Sequence, residues 1–295
     1  MFMKGLTYRL INYLGYRIER KRTKEEMWPG YEQYGVKSNL NLFFTSKVYI
    51  KELDSQFKNF ALLDSDAGFI VTLDSLKIYV ESQEEFHILK EVLLSNDYKF
   101  LTKKECLLID IGANIGISSL YFSQFNHVKE IHAFEPVLDT YKQAEFNLSQ
   151  NEKLAKKIKL YNFGLSNDSR MESFLFNKAT KGNTGMRGLL SPTMSKNEFN
   201  EQRTVQLENA SDVINKVIKD NQNLKVVIKM DCEGAEYDIL ENLSMSGVLD
   251  CIDVLMLEWH DRGSIPVEEL LVSRGFTVFS SKLSARAGLI HASKN

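Results

Sequence analysis

The sequence predicts an α/β protein: a mostly parallel sheet covered by helices on both faces, carrying an N-terminal helical and β-hairpin extension. Two observations predict it. From Cys106 onward, short β-rich apolar runs alternate with stretches of helical periodicity, the pattern of strands joined by crossover helices. The first such run, "LLIDIGANIGISSLYF" at 107–122, ends in an acid and a glycine-bearing turn before a helix begins, at the end of the sheet where open α/β folds bind ligands.

The elements follow in order. In "MFMKGLTYRLINYLGYRIERKRTK", Met3, Leu6, Leu10, Leu14 and Ile18 recur at helical spacing among seven Lys and Arg residues. This predicts a basic amphipathic helix, either packed on its own domain or resting peripherally on an anionic membrane. Residues 25–59 are weakly periodic and complete an extension over 1–59. "GFIVTLDSLKIYVES" reads as a hairpin around Asp74-Ser75, and Ser82 with Glu85 forms a capping box for the helix that closes a second segment, 60–104. The sheet domain spans 105–295, with strands at "CLLIDIG", "EIHAFEP", "IKLYNFGL", "KVVIKMD" and "DVLMLEWH" and shorter ones at "FTVFS" and "LIHAS". Helices fit at about 115–126, 139–150, 211–220, 234–245 and 266–274. An insert between the third and fourth strands carries "SFLFN", a long glycine-bearing loop and "TVQLEN", and suggests a lid or an acceptor-recognition element.

Composition narrows the function. At 295 residues and 43% apolar content a sizeable core is available, and a net charge of -2 lacks the basic excess of a nucleic-acid binder. Cys106, Cys232 and Cys251 show no CxxC spacing; Cys106 and Cys251 read as small buried hydrophobes, which fits a reducing cytoplasm. No apolar run approaches the roughly 18 residues of a membrane span.

The turn after the first strand reads as a cofactor site. Gly112 and Gly116 permit close backbone approach, and Asn114 tolerates a left-handed conformation. Glu135 ends the next strand 23 residues after Gly112, about the interval at which an acid grips ribose hydroxyls. Asp110, two places before the first glycine, would repel a pyrophosphate and suit a cation such as the sulfonium and ammonium of S-adenosylmethionine.

With "DIGANIG", "AFEP", "KMDCEGAE" and "LMLEWH" in this order, the sequence resembles the FkbM family of S-adenosylmethionine-dependent methyltransferases over about residues 104–262. The resemblance implies a Rossmann-like sheet whose last strand is antiparallel, and O-methyl transfer to hydroxyls of sugars, glycans or other small molecules. Met230-Asp231-Cys232 departs mildly from the family's usual β-branched neighbours, while Asp231 and Glu233 are intact.

The acids after the fourth strand suggest the chemistry. An alcohol needs a base as the new bond forms; Glu233 is the first choice and His260 the next, with Asp231 positioning substrate or cofactor. Lys229 either pairs with a carboxylate or reaches solvent. Glu236 falls in a first helical turn and reads as structural. Asp231, Glu233, Glu258 and His260 together would suit magnesium, though no short-spaced ligand motif demands a metal. Two other functions compete: an inactive nucleotide-binding partner protein, opposed by Asp231 and Glu233, and an NAD-dependent oxidoreductase, opposed by the missing GxGxxG.

Overall fold

A computed structural model describes residues 28–294 apart from 96, 192–193 and 195–198. The basic helix expected over the first 24 residues lies outside them. Among the described residues no helix is long and apolar enough to cross a membrane.

The weakly periodic segment of the expected helical extension forms two short helices, α1 (Leu40–Thr45) and α2 (Lys47–Gln56). The predicted hairpin is a three-stranded antiparallel meander, β1 (Phe60–Ser65), β2 (Gly68–Leu73) and β3 (Leu76–Val80). Helix α3 (Gln83–Lys90) follows, its Ser82 hydroxyl accepting from the Glu85 backbone N–H as the capping box predicts, and runs on as a π-helical turn over Glu91–Ser95.

The main sheet has seven strands in the order β12-β13-β11-β10-β4-β5-β6. β4 (Cys106–Ile111), β5 (Val128–Phe134), β6 (Ile158–Tyr161), β10 (Lys225–Met230) and β11 (Val254–His260) are parallel neighbours. β13 (Ala287–Ser293) enters antiparallel between β11 and β12 (Thr277–Lys282), as the resemblance implied for the last strand. The crossover helices are α4 (Ile117–Ser123), α5 (Leu138–Ser149), α6 (Glu152–Ala155), α7 (Ala210–Asp220), α8 (Glu236–Met245) and α9 (Ile265–Ser273). The insert builds its own sheet, in which β9 (Glu201–Asn209) lies between β7 (Gly164–Ser166) and β8 (Arg170–Phe176). The single run expected at 158–165 is therefore two strands in two sheets.

β4 is buried along its whole length, which is why it reads as an unbroken apolar run. Its alternation serves two cores: Leu107, Ile109 and Ile111 pack with α7, α8 and α9, whereas Cys106 and Leu108 pack with α4 and with Phe43, Phe69 and Phe86 of the extension. Each such fully buried aliphatic or aromatic side chain contributes about 1.5–3 kcal/mol. The extension is further fixed by Asn147 and Asn151, whose amide oxygens accept from the Tyr79 and Lys77 backbone of edge strand β3 at 2.7 and 3.0 Å. Cys251 corrects an expectation: it is exposed at the end of a 3-10 turn, while Cys106 is buried.

Candidate active site

Leaving β4, the chain crosses to β5 and β6 on one side and later to β10 and β11 on the other, so a crevice opens at the carboxyl ends of β4 and β10. A cavity of about 260 Å³ occupies it, walled on one side by the turn over Gly112–Ile115 and by Phe134–Pro136.

The turn presses on β10. Gly112 has φ +81°, and a Cβ there would lie 1.8 Å from the Asp231 carbonyl oxygen, so no larger residue fits. Asn114 takes the left-handed conformation at φ 49°, as expected, and Gly116 at φ 85° precedes α4. Asp110 departs from expectation. It does not line the cavity; its Oδ2 accepts from the hydroxyls of Ser118 and Ser119, both at 2.6 Å, and its Oδ1 lies 3.3 Å from Lys229 Nζ. The register explains this, since Asp110 and Lys229 are directly opposed on β4 and β10 and share a face beneath α4. The charge Asp110 compensates is that of Lys229. Lys229 in turn donates to the Gly112 carbonyl at 2.7 Å, so of its two readings the structure shows the paired one; burial would lower its pKa, but the charges of Asp110 and Asp231 raise it.

Glu135 lines the cavity and bridges its two loops, accepting from Asn114 N–H at 3.1 Å and Val137 N–H at 2.9 Å. Burial pushes its pKa up to about 7.

After β10 the chain turns through Glu233 at φ 52° and Gly234 at φ 104°. Glu236, expected to be structural, organises this turn by accepting from Gly234 N–H at 3.1 Å. It also pairs with His260 Nδ1 at 2.8 Å. Glu233 lines the cavity, and burial pushes its pKa up to about 7. His260 is corrected as a candidate base. Burial alone would lower its pKa, but hydrogen bonds to Glu236 and Glu258 push it up to about 11, so the ring already holds its proton at neutral pH. The expected four-residue metal set also shrinks. Donor atoms of Asp231, Glu258 and His260 lie within 4.8 Å of one another, whereas Glu233 is drawn aside to Arg187 at 2.9 Å.

The remaining walls come from places where the sequence showed no motif. Glu84, His87, Glu91, Asp97 and Tyr98 line the cavity from α3 and the segment after it, and Lys181–Thr184 with Met186 line it from the insert. The expected lid thus does cover the site. It is tied down by Lys181 to Glu81 and Glu85, by Gly182 and Asn183 to Glu84, and by Arg187, which also grips Asp261 at 2.8 and 3.2 Å.

The residues present fit the expected cofactor. The cavity wall carries seven carboxylates against two lysines, and both lysines are committed to acids, so the surplus favours a cationic guest. Asn114 Oδ1 is buried at the turn with no hydrogen-bond partner, an acceptor that a bound donor would satisfy.

Comparison with known proteins bears on the same region. Residues 110–276 match the methyltransferase FkbM domain. Methyltransferase sdnD of Sordaria araneosa is 27% identical over 231 residues, covering 71% of this chain and 89% of that protein. Methyltransferase 1 of Beauveria bassiana is 26% identical over 205 residues, covering 64% and 80%. A crystal structure of methyltransferase FkbM from Methylobacillus flagellatus KT aligns with 98% of this chain and 70% of its own, at 10% identity and a TM-score of 0.44.

Proposed function

The chain belongs to the FkbM family of S-adenosylmethionine-dependent methyltransferases, and from that premise we propose that it transfers the methyl group to a hydroxyl oxygen of a sugar or similar polyhydroxylated small molecule. One observation carries this reading: besides Glu135, the cavity is lined by the carboxylates of Glu91, Asp97, Asp231, Glu233 and Glu258. Carboxylates accept hydrogen bonds and do not donate them when ionised, so such a wall complements a guest rich in hydroxyl donors.

S-adenosylmethionine, when bound, supplies a methyl group on a positively charged sulfur. The chain's own residues do the rest. Glu135 accepts from the ribose hydroxyls while remaining fixed by Asn114 and Val137. Lys229 holds the Gly112 carbonyl, and so the turn, against β10. Glu233 takes the proton of the acceptor hydroxyl, with Arg187 fixing its carboxylate and Tyr98 fixing Asp231 through a 3.2 Å hydrogen bond. Because the displacement is in line, alignment within this enclosed cavity provides much of the rate.

Incubation with methyl-labelled cofactor and a panel of sugars and glycans, followed by mass spectrometry, should place the label on oxygen. Label on nitrogen or carbon would overturn the reading. Glu233→Gln should lower turnover about 100-fold or more while leaving S-adenosylhomocysteine affinity unchanged.

A further inference from the structure

We infer that the carboxyl ends of β10 and β11 form a divalent-cation site with Asp231, Glu258 and His260 as its protein ligands. Three independent observations converge. First, Asp231 ends β10, and Glu258 and His260 stand two residues apart on the adjacent β11, so one oxygen or nitrogen of each lies within 4.8 Å of the other two. An ion at their centre would meet all three.

Second, the histidine is already oriented. Its side chain is 3% exposed, and Nδ1 is engaged by Glu236 Oε1 at 2.8 Å. Nε2 is therefore turned toward the cluster, 3.5 Å from Glu258 Oε1 and 3.6 Å from Glu233 Oε1, and an entering divalent ion displaces the proton that these acids otherwise keep on it. A carboxylate on the far ring nitrogen is the arrangement that fixes metal-binding histidines.

Third, the acids outnumber the single charge that His260 can carry. Among the described residues no lysine or arginine stands at ion-pair distance from Asp231, Glu258 or Glu91 of the facing wall; Glu258 meets only His260 and Glu91 only His87. Tyr98 engages Asp231 Oδ2 alone. Like charges gathered in a half-buried cavity call for a cation.

Two carboxylates and one imidazole suit manganese or magnesium better than a soft metal. The ion's role, to bind the acceptor oxygen and ease loss of its proton toward Glu233, rests on the hydroxyl acceptor proposed above. Its presence does not.

The test uses Mn2+ and the full chain without cofactor or acceptor. Titration calorimetry should show saturable binding at one site, with the dissociation constant raised at least about 10-fold by Glu258→Gln and by Asp231→Asn. Pulsed electron paramagnetic resonance of the Mn2+-loaded wild type should show a directly coordinated imidazole nitrogen, a readout that needs no variant to fold. Absence of saturable binding, absence of the nitrogen coupling, or variants that bind within threefold of wild type would each overturn the site. Mn2+ binding in a protein that methylates no hydroxyl would keep the site and sink the acceptor assignment instead.

Discussion

Glu135 is fixed before any ligand arrives, because one oxygen is anchored to the loop after β4 and the other to its own loop. Each oxygen retains a free lone pair, so the ribose meets a rigid acceptor and loses little by ordering it. Glu135→Ala should weaken S-adenosylhomocysteine binding by about 1–3 kcal/mol, measured calorimetrically; an unchanged dissociation constant would remove the residue from the cofactor site. Lys229 is the opposite kind of residue, since it works by holding others. Removing it in Lys229→Met leaves Asp110 buried beside two hydroxyls alone, and chemical denaturation should show a loss of about 3–5 kcal/mol. Asp110→Asn on that background should recover part of the loss, because the orphaned charge is gone. A loss below about 1 kcal/mol would mean that the pair matters little.

At the level of elements, α3 joins the insert to the body through two acids, Glu85 on Lys181 and Glu84 on the two residues after it. Glu84 accepts from Gly182 and Asn183, and burial pushes its pKa up from 4.5 to about 8. Its folded pKa exceeds the unfolded one, so the associated stability is complete below about pH 4.5 and is lost as pH climbs through 8. Glu84→Gln should therefore match wild type in Tm near pH 5 and exceed it by a few degrees near pH 9 by scanning calorimetry. Equal Tm values at both pH values would contradict the assignment. The strands were legible because buried parallel strands are continuous apolar runs bounded by turns, and the carboxylates at their ends were legible from spacing alone. The split of the third run at Asn162-Phe163 was not, since the same residues that favour one strand also favour two. Nor were Glu84, Glu91 and Asp97, which line the cavity, or Arg187, which grips Glu233, because tertiary packing alone brings these distant segments together. Asp110 misled for a related reason: a one-dimensional reading sees its neighbours in the chain, and its true partner lies across the ladder on β10.

Across the whole molecule the cavity has two principal builders besides the insert that covers it. The sheet supplies the turn, Glu135 and the acids of β10 and β11, while the segment between α3 and Tyr98 supplies the facing wall and shares its apolar residues with the core under β4. Glu91→Gln should accordingly raise KM for the acceptor while leaving S-adenosylhomocysteine affinity unchanged. A variant that altered both equally would show that the two walls do not act separately.

This division of labour separates donor handling from client choice. Substitutions confined to the stretch after α3 can retune whom the catalyst serves while the glycine turn stays as it is.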